Sequence, residues 1–360
     1  MVAAKEVHLN EVFQSFTVSE LKDLCRVLEL KGTSSMKKAT LIQNLIHTVT
    51  QEDVFQQICF QATPEEMKIF EGAFQKHVLD QSECEDLCYW VKFGFCFVDK
   101  SNKVYVVKEL QNMFHALDAE FWSEYDRFYE IYEYIEAAIH LYGVIGRNDA
   151  IKLFNHWHTE KMGTEELEHF LDIIQARPEL MDFDLDEELI FDEVLLDAEE
   201  GYFAYEAVYA RQGKGPYFMP AKEEFIRYAN PDYFEKNKEY LKMEQYLIDT
   251  FQINHYIAED MCEDMVSSIR LGYQVDDILA DLDRKGIPID LFHAEDLTNL
   301  VLDLINNSRS MFCKGFTFKE AGEEVLLMTD KKHAKHSTRR ECKVEEESKV
   351  IPFPSVFHKE

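Results

Sequence analysis

Few folds can accommodate the stretch Thr17–Leu45, TVSELKDLCRVLELKGTSSMKKATLIQNL. Thr17 and Glu20 stand in a T-x-x-E capping box, in which each side chain satisfies a free backbone N–H of the other residue. Leu21, Leu24, Cys25 and Leu28 recur at i, i+3, i+4 and i+7, one apolar stripe on a helical period. Gly32 then predicts a left-handed stop. Ser34 or Ser35 is expected to cap a second helix, with Leu41, Ile42, Leu45 and Ile46 as its buried face. Helices this short are marginal in isolation, so the two must pack on each other.

Lys37 and Lys38 fall where the second helix begins. A helix start carries partial positive charge, so lysines there are unfavourable unless an anion joins them. The same place is a ready phosphate site. The V-x-E-L-K-x-x-C run at Val18–Cys25 and the K-K-A-x-L-I run at Lys37–Ile42 resemble the SAP module and the related N-terminal module of transcription terminator Rho. Both are compact helical units that contact nucleic acid. The resemblance implies that Lys37 and Lys38, helped by Lys31 and Arg26, meet the phosphates of DNA or RNA. It covers about thirty residues, and the usual glycine–leucine before the turn is Glu29-Leu30 here. By themselves, the residues leave a second use open, a helical hairpin that docks on the next domain.

Charge limits where such contact can occur. Residues 1–50 hold six basic and five acidic side chains, whereas residues 51–330 hold 24 and 59, net −35. Residues 331–360 return to net +3. A −35 body repels a phosphate backbone, so nucleic-acid contact is expected only at the two ends. Either the acidity solvates the surface, or it receives a basic protein partner or imitates DNA.

A hydrophobic content of 46% predicts a folded chain, and 360 residues predict several domains. The start lacks the apolar core of a signal peptide, and no run approaches a membrane span. Eight scattered cysteines in mostly apolar contexts fit reduced, buried thiols, so a cytoplasmic location is expected.

The predicted fold is mainly α, in multi-helix units with one or two winged-helix-like β-hairpins. Residues 1–50 form the SAP-like module. In 51–118, helices at Glu52–Phe60, Thr63–His77 and Ser82–Val91 lead into strands at Lys92–Asp99 and Lys103–Val107, joined by Lys100-Ser101-Asn102. The helix in the recognition position carries Glu83, Glu85 and Asp86 and no base, so this winged-helix-like unit is not expected to read DNA.

Residues 119–230 form a helical unit, rich in aromatics that predict helix–helix core. It includes a break at Gly146-Arg147-Asn148-Asp149, with Asn148 as the next cap, and the acidic segment Glu179–Glu200. That segment has eleven acidic residues, no basic one, and an apolar run that argues against disorder. Tyr202–Tyr209 is grouped with it in a second helices-then-strands unit. Residues 231–328 are helical with a break at Gly286-Ile287-Pro288, and 329–360 are expected to be a disordered basic tail. The stretch 297–320 is similar to a closing helix in bacterial proteins that often end in a cysteine-rich zinc tail. That tail's cysteine cluster is absent here, where only Cys342 follows.

No catalytic signature emerges. G-x-S-x-G, Walker and G-x-G-x-x-G motifs are missing. Cys84 and Cys88 have no partner pair, and His156 and His158 point to opposite sides of a helix. Cys313, His333, His336 and Cys342 fit no common zinc spacing, and the aspartates at 276, 277, 281 and 283 are expected on a solvated helix face. No catalytic residue, metal or cofactor is therefore expected. The expected function is a non-catalytic, nucleic-acid-associated adaptor or regulator, with DNA or RNA at the N-terminal module and a protein partner on the acidic body. The competing expectation is an acidic protein-interaction scaffold, or a DNA-mimic-like protein, that never touches nucleic acid.

Overall fold

A computed structural model describes residues 6–74, 87–98, 103–196 and 205–326. The chain is mainly helical, with seventeen α-helices and two small antiparallel sheets among the described residues. Its described residues divide into two compact units, those within 1–131 and 169–180, and those within 132–168 and 181–326.

In the first unit, helices α1 (Leu9–Ser15), α2 (Val18–Val27) and α3 (Lys38–Val49) bury Phe13, Leu21, Leu24, Cys25, Leu41, Ile42 and Leu45. The Thr17–Glu20 capping box forms as the sequence predicts, with bonds of 2.6 and 3.2 Å. The helix stop differs from expectation. Helix α2 ends at Val27 with Leu28 as its C-cap, and Glu29 rather than Gly32 takes the first left-handed turn (φ 53°). Leu30 N–H bonds to Cys25 O and Glu29 N–H to Arg26 O, the paired closure of a Schellman motif. Gly32 is left-handed too (φ 76°), but it opens a short 3₁₀ turn at Thr33–Ser35. That turn takes up both serines, so the residue before α3 is Lys37, which supplies no side-chain cap.

Helices α4 (Glu52–Phe60), α5 (Pro64–Ala73) and α6 (Cys88–Lys92) follow, then strands β1 (Cys96–Val98) and β2 (Val104–Val106) and helix α7 (Lys108–Phe114). The strands pair antiparallel as the sequence predicts, with Phe97 opposite Tyr105. The turn Lys100–Asn102, the segment carrying Glu83, Glu85 and Asp86, and Cys84 lie outside the described residues. Aromatic rings fill this core. Phe70 stacks on Trp90 at 4.1 Å, and the Trp90 indole donates to Glu66 O.

Helix α8 (Ala119–Tyr142) contributes residues to both units, the division falling after Ile131. Its first part belongs to unit one, where Tyr125 and Tyr129 both donate to Ala62 O at 2.7 and 2.8 Å.

In the second unit, strand β3 (Val144–Gly146) opens helix α9 (Arg147–Trp157). The cap position is Gly146, so Asn148 does not cap as expected. Gly143 turns the chain between α8 and β3 in a left-handed conformation (φ 73°), with Met311 packed only 3.0 Å from where a Cβ would stand. The acidic segment is ordered over its described part. Strands β4 (Phe183–Leu185) and β5 (Leu189–Asp192) form a hairpin, and β3 pairs on the other side of β5. Asp186 holds its turn by accepting from Glu188 N–H and Leu189 N–H, both at 2.7 Å. Leu189, Ile190 and Phe191 are buried, which explains the apolar run amid the carboxylates.

Helix α10 (Thr164–Ile174) precedes the acidic segment; beyond the undescribed residues 197–204, α11 (Tyr205–Gln212) is helical rather than a strand, and α12 (Lys222–Phe225) follows. Helices α13 (Lys238–Phe251), α14 (His255–Arg270), α15 (Val275–Arg284) and α16 (Ala294–Asn307) enclose a core that includes Tyr240, Leu247, Cys262, Ile278 and Leu304. Gly286 is left-handed (φ 91°) in the expected break. The tail 329–360 lies outside the described residues, and no helix among them is long and apolar enough to cross a membrane.

Candidate functional site

The four basic residues expected at the N-terminal module have separate environments. Lys37 and Lys31 are exposed, and neither side chain makes a hydrogen bond or ion pair among the described residues. Lys38 is half-buried, and its Nζ donates to Gln14 O at 2.7 Å. Its charge also reaches Glu20 at the start of α2, where the capping contacts to Thr17 hold the carboxyl below its usual range. Arg26 lies on the last turn of α2, about 9 Å along the axis from Glu20, and pairs with exposed Asp23 at 3.0 Å. The module therefore leaves Lys31 and Lys37 uncommitted, while Lys38 serves its own fold. The first backbone N–H groups of α3 have no side-chain cap.

A second grouping lies wholly in unit two. Glu136 and His140 stand one turn apart on α8, only 3% and 5% exposed. Asp182, just before β4, brings a carboxylate to them, and the ligating atoms of the three residues lie within 4.8 Å of one another. His140 Nε2 is 3.6 Å from Glu136 Oε2, too far for a hydrogen bond. His140 Nδ1 sits 2.9 Å from Tyr228 O. A carbonyl only accepts, so Nδ1 carries the proton, and in the neutral ring the Nε2 lone pair faces Glu136.

The Arg270 guanidinium supports this arrangement through His140 O and Pro231 O. An open cleft of about 530 Å³ adjoins the group, lined among others by His140, Asp182, Asp192, Glu193, Arg270 and Met311. Burial pushes the Glu136 carboxyl up to about 8, reinforced by the Asp182 charge. Burial also pushes the His140 imidazole below its ordinary value.

Sequence alone does not single out this grouping. Its signal is an E-x-x-x-H pair inside the apolar run Ile135–Tyr142, where an ionisable residue every turn is out of place. The third member lies 42 residues beyond His140 and reaches it only through the fold. Comparison with known protein families, with curated proteins and with solved structures finds no match.

Proposed function

We propose that this protein is a non-catalytic, nucleic-acid-associated adaptor that meets phosphate through its N-terminal module. The observation that carries this reading is the start of α3, where lysine occupies the cap position without capping and Lys31 and Lys37 remain exposed and unpaired among the described residues. Uncapped N–H groups with lysines beside them are poor for stability alone, and a bound phosphate oxygen answers both deficits. In this reading the 51–118 unit is a winged-helix-like support, since the acidic run of Glu83, Glu85 and Asp86 repels a phosphate backbone.

The acidic body then takes the protein partner. Leu291 and Phe292, 98% and 87% exposed beside Asp290, favour that second contact. Isolated large apolar side chains are common on surfaces, but two adjacent ones so fully exposed suit a docking loop.

Fluorescence anisotropy of the full chain with labelled single-stranded and duplex oligonucleotides, at low salt, tests the reading. Binding should weaken as salt rises, and the double change Lys31→Glu and Lys37→Glu should abolish it. Equal binding by that variant, or none by the parent, removes the module from nucleic-acid recognition and leaves the protein-scaffold reading.

A further inference from the structure

We propose that Glu136, His140 and Asp182 form a binding site for a first-row divalent transition-metal ion such as Zn²⁺. The three side chains offer one imidazole nitrogen and two carboxylate oxygens with their ligating atoms within 4.8 Å of one another. That donor set suits zinc and its neighbours better than calcium or magnesium, which favour all-oxygen shells.

Two independent features point to a ligand rather than to a chance meeting of charges. Glu136 is 3% exposed, yet its Oε1 has no hydrogen-bond partner among the described residues. A buried carboxyl oxygen left unpaired is costly, and a cation that displaces the carboxyl proton and binds there removes that cost. His140 is also held as a ligand requires. Its Nδ1–H donates to Tyr228 O, which fixes the ring and leaves Nε2 as the basic atom on the side of Glu136.

The electrostatic surroundings agree. Asp192 and Glu193 line the same cleft, against the single guanidinium of Arg270. That guanidinium is occupied by the carbonyls of His140 and Pro231. The site is thus short of positive charge. Since His140 and Asp182 both line the cleft, an ion reaches it from solvent. Metal–ligand distances of about 2.1 Å require the three groups to draw together slightly. Asp182 is exposed and can make that movement.

Calorimetric titration of the full chain with Zn²⁺, and absorption spectroscopy with Co²⁺, test the proposal. One equivalent should bind. The Co²⁺ complex should show visible bands without the near-ultraviolet charge transfer that a thiolate ligand gives. Asp182→Asn and Glu136→Gln should each weaken binding by about tenfold or more. Asp182 is exposed, so its asparagine variant should melt at the parent's temperature without metal, which separates ligand loss from misfolding. A thiolate band, unchanged affinity in Asp182→Asn, or no stoichiometric binding by the parent would overturn the site.

Discussion

Arg177 grips Glu66 with two prongs, 2.6 and 3.0 Å long, across 111 residues of chain. The same guanidinium donates to Gln61 O and lies over the Tyr89 ring at 4.2 Å, while Glu66 also accepts from Thr63 N–H at the start of α5. One buried arginine therefore ties the segment 169–180 to a helix start, a loop and an aromatic core within unit one. Removing one partner of such a pair strands the other charge. Arg177→Ala should cost about 3 kcal/mol, read as a lower urea midpoint. The double variant Arg177→Met with Glu66→Gln should recover part of the loss. A single-variant loss below about 0.5 kcal/mol, the scale of an exposed pair, would show that the contact is not structural.

Glu29 occupies a left-handed position that glycine takes more easily. Glu29→Gly should stabilise the N-terminal module by about 0.5–1 kcal/mol, because the relieved strain exceeds the added entropy of the unfolded chain. Thermal melts would detect this. A destabilised variant would mean that the glutamate side chain contributes more than its backbone costs.

Lys37 and Lys38 should separate stability from affinity. Lys37→Ser supplies the missing helix cap and should raise stability by about 1 kcal/mol while lowering affinity for oligonucleotides. Lys38→Ala loses the bond to Gln14 O and should cost roughly 0.5–1 kcal/mol with a smaller effect on affinity. Paired melts and anisotropy titrations check both. The reverse assignment would place the phosphate contact at Lys38.

Glu136 makes the metal-free chain sensitive to alkali. Its carboxyl is raised in the folded chain from about 4.5 to about 8 by burial, so the folded state holds a proton that the unfolded state releases. Stability should be full below the unfolded value, fall as pH rises through that window, and level off above about 8. The clearest range lies above neutral pH, where the unfolded imidazole has largely lost its proton and burial keeps the folded His140 neutral. In EDTA, the parent's urea midpoint should drop between neutral pH and pH about 9, and Glu136→Gln should flatten that slope. Parallel profiles for the two proteins would show that another group governs it.

Local sequence determined the elements whose partners lie within a turn or two. The Thr17–Glu20 box, the apolar stripes of α2 and α3, and the pairing of β1 with β2 are all legible because their spacing alone brings the groups together. Helix ends were less legible. Glu29 accepted a conformation that its residue type disfavours, and the 3₁₀ turn absorbed the serines expected to cap α3. The acidic segment showed only that its apolar residues would not stay in water. Its place beside β3 depends on the turn at Gly143 and on Asp192 N–H bonding to Gly143 O. The Arg177–Glu66 pair and the approach of Asp182 to the Glu136–His140 pair belong to tertiary structure. Their members stand up to 111 residues apart, and no local periodicity encodes which buried charge will meet which. Sequence fixes what each residue needs, a partner for every buried polar atom. Only the packed chain decides which distant residue supplies it.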